Sequence, residues 1–357
     1  MPDAATLARW AVVPEKAVTT SSRSDPHPIK DFFIAELIDY APKDHPDMME
    51  RPFFAIAKRK RLKPIEYTND DGSVIVRVTA QPEHGMATIW DADILIYCIS
   101  RVVAARDRGD NDCGPSIYVT PYELLKGIAR ETGGKNYDQL MAAIKRLKTT
   151  TIETNIRRGR ERMAMFNWLA EIGGEGDARG VGNELKSLEL RLSNWLYEGI
   201  MSGKGVLTLD RQWFLLKGGL ERVIYRIARK HAGDQRQGWT CRFDVLYKKT
   251  GCEDQARNFA AAVRKLAARN DLPGYAMTLT KTVDGSDAVH FIARRHLVGE
   301  VLSRKAREVQ ERDAARVAWV DSGRNPRDFD EALQEWIASG ASVAQFIDAH
   351  ESKPLTR

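Results

Sequence analysis

The sequence is poor in the groups that secreted, membrane and metal-binding proteins require. It has only four cysteines, none in a C-x-x-C pair, so neither a disulfide framework nor a zinc site is expected. No apolar run approaches the ~20 residues that span a bilayer, and residues 1–24 lack the apolar core of a signal peptide. We therefore predict a cytoplasmic protein with reduced thiols that uses no metal, cofactor or membrane.

Two further absences argue against an enzyme. A nicking initiator of the rolling-circle type needs a metal held by a close pair of histidines and a tyrosine nucleophile, but the seven histidines include no His-x-His pair. Segment 202–205 is not a phosphate-binding loop, because Glu198 stands where its first glycine belongs and Gly205 where Ser or Thr would bind magnesium. We therefore predict no catalytic residues.

Basic charge, in contrast, is present and is concentrated in two short stretches. The whole chain has a net charge of only +6 and a pI near 9.0. Segment 135–162 contains eight Lys or Arg against three Asp or Glu, and segment 239–269 contains seven against three. The rest of the chain is therefore net negative. Such local concentration of positive charge is expected where a protein contacts nucleic acid.

The first basic stretch belongs to a predicted helix-turn-helix with a wing, over residues 121–169. Its second helix, predicted over 135–148, places Leu140, Ile144 and Leu147 at i, i+4 and i+7, so one face is apolar and packs on a core. Gly133 is expected to end the preceding helix in the left-handed conformation. The β-branched segment 149–156 and segment 163–169 then predict two strands that flank a basic hairpin tip.

The free face of that helix suits the major groove of DNA, where Asn and Gln bond adenine and Arg bonds guanine. Arginines at the hairpin tip would reach phosphates or a minor groove beside it. The alternative is that both are merely solvated surfaces, and the concentrated charge favours DNA. The predicted contacts on the helix are Lys135, Asn136, Gln139, Arg146 and Lys148. Those on the wing are Arg157, Arg158, Arg160 and Arg162.

The same pattern recurs later in the chain. Thr250-Gly251 precedes Phe259, Val263 and Leu266, which again lie at i, i+4 and i+7 of a helix predicted over 253–269. Segments 275–282 and 288–294 predict a hairpin behind it. Two such units in one chain are much harder to obtain by chance than one. The predicted DNA contacts of this second helix are Gln255, Arg257, Asn258, Arg264 and Lys265.

The sequence as a whole predicts an α+β fold with two tandem winged helix-turn-helix domains. Residues 1–28 form a mobile arm, 29–203 the first domain, 204–299 the second, and 300–357 a helical C-terminal tail. Segment 53–57 is predicted to be a strand, 65–67 and 74–78 a hairpin, and 90–106 a helix. Segment 58–63 has five basic residues in six, which either clamp a phosphate backbone or form a solvated strand end.

Three segments carry a resemblance to a known family: 87–97 (ATIWDADILIY), 118–125 (YVTPYELL) and 140–153. The chain resembles plasmid replication initiator proteins of the RepA type from proteobacteria, over about residues 29–294. Members of that family look like tandem winged helices that bind repeated origin sequences, or iterons, as monomers and repress their own gene as dimers. The resemblance implies that the helices at 135–148 and 253–269 read DNA here.

The expected function is therefore plasmid replication initiation with control of copy number. The expected partners are double-stranded DNA of the origin repeats and of the chain's own promoter, the host initiator and helicase, and a second copy of the chain. A dedicated dimeric transcriptional repressor is the alternative, since the same helices would serve it. The resemblance and the lack of an obvious effector module favour the initiator.

Overall fold

A computed structural model describes residues 41–110, 113–159, 162–174, 186–202 and 205–297, and within 311–350 all but residues 313, 317, 321, 323, 325–327, 340 and 341. The predicted arm over 1–28 and the predicted tip residue Arg160 lie outside the described residues. In the described part of the chain, no helix combines the length and the apolar character needed to cross a bilayer.

The elements of the first half alternate short strands with helices. In chain order they are β1 (Lys43–Asp44), α1 (Pro46–Met49), β2 (Ile65–Thr68), β3 (Ile75–Thr79), α2 (Ala92–Arg108), β4 (Ser116–Val119), α3 (Pro121–Gly127), α4 (Gly134–Thr149), β5 (Thr151–Thr154), β6 (Ala164–Asn167), β7 (Leu169–Gly173), β8 (Leu188–Leu192) and α5 (Asn194–Met201). The helices predicted over 90–106 and 135–148 are thereby confirmed. The strand predicted over 53–57 is wrong, because only Ala55 makes a bridge, to Thr88.

The second half repeats part of this order. Its elements are β9 (Leu207–Thr208), a 3-10 helix (Arg211–Leu215), α6 (Gly219–Ala232), β10 (Trp239–Arg242), α7 (Phe243–Thr250), α8 (Ala256–Arg269), β11 (Tyr275–Lys281), β12 (Asp287–Ala293), α9 (Phe329–Ala338) and α10 (Val343–His350). The second predicted helix is confirmed as α8, which begins three residues later than expected.

The named strands of the described residues form four antiparallel sheets, in the orders β1-β9, β2-β3-β5-β6, β4-β8-β7 and β10-β12-β11. The predicted hairpins β2-β3, β5-β6 and β11-β12 are confirmed. The wing hairpin β5-β6 does not stand alone, however: β5 also pairs with β3, placing Ile152 opposite Val78. The hairpin predicted to be the first wing is thus joined to the earlier hairpin by a continuous ladder of backbone hydrogen bonds.

Local signals explain where the helices of the first half begin and end. Thr120 and Glu123 form a complete capping box at the start of α3, and Pro121 occupies its first turn. That helix ends at Gly127 and the chain turns at Ala129, which has a φ of 54°. The expectation for Gly133 was therefore wrong: its φ is −78°, and it is the residue before α4 instead.

The two candidate recognition helices pack through the faces that their periodicity predicts. Leu140, Ile144 and Leu147 of α4 are fully buried. Phe259 and Val263 of α8 are buried in the same way. Since each helix uses its apolar stripe for the core, the opposite stripe of each one faces outwards.

One hydrophobic core runs through both halves of the chain. The described residues from 41 to 293 belong to one compact unit, and those from Arg294 onwards belong to a second. The boundary predicted near residue 203 thus falls inside the larger unit. The second unit has its own small core, in which Phe329 of α9 and Phe346 of α10 are buried with Trp319.

Buried polar contacts also cross residue 203. Asp93 of α2 accepts hydrogen bonds from the Arg222 guanidinium (2.6 Å) and from the Trp213 indole (2.9 Å), and its side chain is 1% exposed. Asp44 and Arg226 form a second buried ion pair at 2.7 Å. Removing one partner of either pair would leave a buried charge without a counter-charge, which is strongly destabilising. We therefore expect the two halves to unfold together.

Candidate nucleic-acid interface

Helix α4 presents a stripe of polar and small side chains to solvent. Lys135, Gln139, Ala142 and Lys145 are exposed and follow one another at spacings of three or four residues. The stripe lies opposite the buried Leu140 and Ile144 side of the helix, so it is available to a partner. The exposed Ala142 leaves room for close approach, while the lysines and the glutamine offer hydrogen-bond donors.

Three other predicted contacts on this helix have different surroundings. The Arg146 guanidinium donates two hydrogen bonds of 2.7 Å to Asp91, and this bonding raises its pKa. The Lys148 ammonium donates to the carbonyl oxygen of Ala170, and Asn136 is half-buried. Arg146 and Lys148 therefore bind α4 to the rest of the protein. The Arg146 guanidinium is half-buried, and its bonds to Asp91 leave it little freedom to move.

The arginines predicted at the first wing also separate into two groups. The guanidinium of Arg157 lies 3.8 Å from the centre of the Trp195 ring and 3.2 Å from the Asp47 carboxylate, and burial lowers its pKa. Its φ of 64° turns the chain sharply at this point. Arg158 pairs with Glu198 at 3.3 Å. Arg162 is exposed. The structure thus turns Arg157 towards the protein rather than outwards from the tip.

Replacement of single wing arginines should separate these roles. Arg157→Ala removes a cation–π contact and an ion pair, so we expect it to lower the free energy of unfolding by roughly 1–2 kcal/mol. It should leave the salt dependence of DNA binding unchanged. Arg162→Ala should do the opposite: its stability stays at the wild-type value, and the slope of log K against log salt falls by about 0.9. Urea unfolding and anisotropy titrations at several salt concentrations measure both quantities.

The basic segment 58–63 lies beside α4. Lys58, Arg59 and Lys60 are exposed. The Lys58 ammonium lies 5.4 Å from the centre of the Trp90 ring, and that of Lys60 donates a 2.7 Å hydrogen bond to the Glu83 carbonyl oxygen. Neither contact neutralises the charge. The buried residues 53–55 anchor the chain in the core just before these three cations. The cations are thus carried by a folded segment.

A groove of ≈ 480 Å³ joins this segment to the exposed face of α4. Gln139, Ala142 and Arg146 form one side of it, and residues 58–60 line it as well. Its lining contains six Lys or Arg side chains but a single carboxylate, Asp91. Arg146 pairs with Asp91, and Arg130 and Arg222 pair with Asp93. The positive charge that remains for a polyanion therefore comes from residues 58–60.

The second candidate helix, α8, has a similar outward face. Gln255 precedes its first turn and is exposed, as are Arg257, Asn258 and Lys265. Arg264 is exposed too and forms an ion pair with Asp287 of the hairpin behind it. Lys281 and Arg264 together lower the pKa of Asp287. All five predicted contacts thus lie at the surface, and Arg264 also forms an exposed ion pair with β12.

A second groove, of ≈ 320 Å³, runs between α8 and the same basic segment. Asn258 and Ala262 of α8 line it, and its charged side chains are two arginines, Arg59 and Arg61, and two carboxylates, Glu253 and Asp254. Arg61 is buried and donates a 2.7 Å hydrogen bond to the Gly251 carbonyl oxygen, before the start of α8. Arg59 lines both grooves. The segment therefore connects the surfaces of α4 and α8.

Sequence reasoning missed two features of this surface. Lys145 lies on the exposed stripe of α4 but was not among the predicted contacts, although its place on the side of the helix opposite Leu140 and Leu147 was sufficient to find it. The approach of segment 58–60 to both helices depends on contacts far apart in sequence, and no local pattern signals it. In the described part of the chain, no group of His, Cys, Asp and Glu side chains has the geometry to hold a metal ion.

Comparison with known proteins identifies a family and similar chains. Residues 43–277 match the model of a family described as "Replication initiator protein A". A protein of Wigglesworthia glossinidia brevipalpis, described as "Putative replication protein", is 31% identical over 251 residues, which are 69% of this chain and 88% of that protein. The fold is similar to domains 2 and 3 of RctB, with a TM-score of 0.51 at 13% identity, over 69% of this chain and 96% of that one.

Proposed function

The chain belongs to the replication initiator protein A family, and from that premise we propose that it initiates plasmid replication by binding repeated origin DNA through α4 and α8. The family expected from the sequence is thus confirmed. The observation that carries the DNA-binding proposal is the exposed stripe of α4 beside a groove that the exposed cations Lys58, Arg59 and Lys60 line. Duplex DNA is the polyanion on which an initiator acts.

Helices α4 and α8 each have the place in the element order that the second helix of a winged helix-turn-helix has. In the second half the order is α6-β10-α7-α8-β11-β12, and β10 pairs with β12 to give a three-stranded sheet. The first half has the same order from α2 to β6, but there β4 pairs with β8. We propose two winged helices, of which the first is enlarged by β7 and β8. In each one the last helix enters a major groove.

Within the major groove, the exposed side chains of α4 would contact base edges. The side-chain amide of Gln139 can form two hydrogen bonds with adenine. Lys135 and Lys145 can bond guanine or the flanking phosphates. On α8, Asn258 and Lys265 supply the same chemistry. Two helices in successive grooves, one turn or ~34 Å apart, would read a site of ~20 base pairs without a palindrome.

Replication would then start from the deformation of this DNA. Bending a site of that size costs on the order of 1–6 kcal/mol, which phosphate contacts offset. The bent or opened origin would recruit the host initiator and helicase, and a dimer of the chain would repress its own promoter and limit copy number. We place this activity in the cytoplasm and expect it to proceed without cleavage or covalent attachment of the DNA.

Complementation tests the proposal. A plasmid that carries the origin repeats but lacks this gene should replicate only when the protein is supplied in trans. If the protein represses its promoter but never supports replication of that plasmid, the chain is a dedicated repressor. A covalent protein–DNA adduct after incubation with origin DNA and magnesium would contradict the non-enzymatic mechanism.

Substitutions on α4 test its role directly. Gln139→Ala should weaken binding to the specific site by about 1–3 kcal/mol and relax the preference at one base position, because a contact to a base edge is lost. Gln237→Ala, which removes an exposed amide from a turn outside both helices, is the matched control and should have no effect. Competition titrations with single-base variants of the site measure both. Equal weakening on specific and random DNA would mean that Gln139 does not contact a base.

A further inference from the structure

We infer that Lys58, Arg59 and Lys60 form a phosphate clamp that holds the DNA backbone between the two recognition helices. This inference rests on the proposed function. It adds a contact to the stretch of DNA that neither helix reaches, and it assigns that contact to a segment outside both helix-turn-helix units. The ligand is the phosphodiester backbone of a continuous duplex that lies along both grooves.

The position of the three side chains carries the inference. The groove beside α4 is lined by all three, and the groove beside α8 is lined by Arg59. A backbone strand that leaves the face of α4 towards α8 therefore passes over this segment. Phosphates are contacted by Lys and Arg side chains without regard to sequence, so the clamp would fix the position of the DNA rather than read it.

The segment is also held rigidly enough to act as a clamp. Arg61 anchors its end, with hydrogen bonds of 2.7 Å to the Gly251 carbonyl oxygen and 3.0 Å to that of Lys63. Gly219 at the start of α6 lies so close to the Ile56 carbonyl oxygen that an added Cβ would be 1.9 Å from it. The backbone before the three cations is thus packed against the second half of the chain.

Charge on the segment is available to DNA. The Arg59 guanidinium lies 3.4 Å from the Glu253 carboxylate, and the Arg59 side chain is 63% exposed. Lys60 bonds a neutral carbonyl oxygen and Lys58 faces an aromatic ring. Glu253 is only 22% exposed and also lies 3.6 Å from the Arg61 guanidinium. A phosphate can therefore bind Arg59 from its exposed side while Arg61 remains a counter-charge of Glu253.

The triple variant Lys58→Ala, Arg59→Ala, Lys60→Ala tests the clamp. We expect it to weaken binding to specific and random duplexes alike, by roughly 10- to 100-fold at moderate salt, and to lower the slope of log K against log salt by about 2–3. Phosphate ethylation interference should change at one place: modification of the phosphates between the two base-contacted regions, which blocks wild-type binding, should no longer affect the variant.

Two control variants show whether the charge of this particular segment causes the effect. Lys58→Arg, Arg59→Lys, Lys60→Arg keeps the charge and should keep the wild-type slope. Lys186→Ala, Lys217→Ala, Arg236→Ala removes three exposed cations that line neither groove and should change the slope by less than the clamp variant. Urea unfolding of all three variants should match the wild type, since the replaced side chains are exposed.

The outcomes distinguish failure of the clamp from failure of the proposed function. An unchanged slope and an unchanged ethylation pattern in the triple variant, while Gln139→Ala still loses specificity, would overturn the clamp and leave α4 as a recognition helix. Failure of the wild-type chain to bind any duplex from its own origin would overturn both. Loss of interference only at phosphates outside the central region would also contradict the clamp.

Discussion

Insertion of five base pairs between the two half-sites should weaken binding of the whole chain by about 10²- to 10⁴-fold. That factor is the gain that two joined binding units obtain when both can bind together. Five base pairs turn one half-site by about half a helical turn, so the two recognition helices can no longer enter their grooves from one side. Anisotropy titrations on the two duplexes measure the ratio.

A ten-base-pair insertion distinguishes two helices held in one rigid unit from two helices joined by a flexible linker. It restores the rotational phase but lengthens the separation by about 34 Å. Two domains joined by a flexible linker could span the longer separation, and they would regain the affinity. Here α4 and α8 belong to one compact unit, and the buried pairs Asp93–Arg222 and Asp44–Arg226 cross between its halves. We therefore expect the ten-base-pair insertion to bind as weakly as the shorter one.

The control for both insertions is a duplex that carries the same five base pairs outside the site, where binding should be unchanged. Full affinity on the ten-base-pair insertion would contradict the single compact unit and favour two tethered domains. Full affinity on both insertions would mean that only one helix reads the site.

Asp93→Ala should have the largest effect on stability, about 3–5 kcal/mol. The substitution leaves the Arg222 guanidinium, which is 3% exposed, without its counter-charge in the core. It also removes the acceptor of the Trp213 indole and a partner of Arg130, whose guanidinium lies 3.2 Å from Asp93. Since Arg130 lies just before α4, the loss should loosen that helix as well. Urea unfolding measures the loss of stability.

Asp107→Ala is the matched control for this substitution. Asp107 also pairs with an arginine, Arg106, at 2.8 Å, but its side chain is 59% exposed. A solvent-exposed pair contributes about 0–1 kcal/mol, so the control should unfold close to the wild-type urea concentration. If Asp93→Ala lost no more stability than Asp107→Ala, the buried pair would not join the two halves.

The sequence predicts the helices of this fold well because their signal is local. The spacing of Leu140, Ile144 and Leu147 fixes which side of α4 is buried, and Phe259 and Val263 do the same for α8. Once those sides are known, the exposed stripe follows by geometry. That is why the residues chosen on α8, and Lys135 and Gln139 of α4, are exposed as expected.

The sequence does not predict interactions between distant segments. Arg146 has the right helical position for a surface contact, but its partner Asp91 lies 55 residues earlier in the chain. Arg157 resembles a solvated tip residue until Trp195 is known to lie 3.8 Å from it. Segment 202–205 has the composition of a linker, yet buried residues from both sides of it belong to one hydrophobic core. Composition alone does not show whether a domain ends at such a segment, because that depends on the packing of the residues on its two sides.

The end of α3 shows a smaller limit of local rules. Glycine is the usual residue in the left-handed conformation after a helix, and this rule pointed to Gly133. The chain instead uses Ala129, with a φ of 54° and backbone hydrogen bonds from Ala129 and Arg130 back into the helix. A non-glycine residue in this conformation is strained, and the surrounding contacts, including those of Arg130 with Asp93, hold it.

Methylation protection of guanine N7 on the origin repeats tests the central claim, that α4 and α8 read one site from one surface. We expect two protected patches in the major groove, about one helical turn apart on the same side of the duplex. A variant of α4 (Gln139→Ala, Lys145→Ala) should lose one patch, and a variant of α8 (Asn258→Ala, Lys265→Ala) should lose the other. A single patch that depends on α4 alone, with the α8 variant indistinguishable from wild type, would contradict the claim.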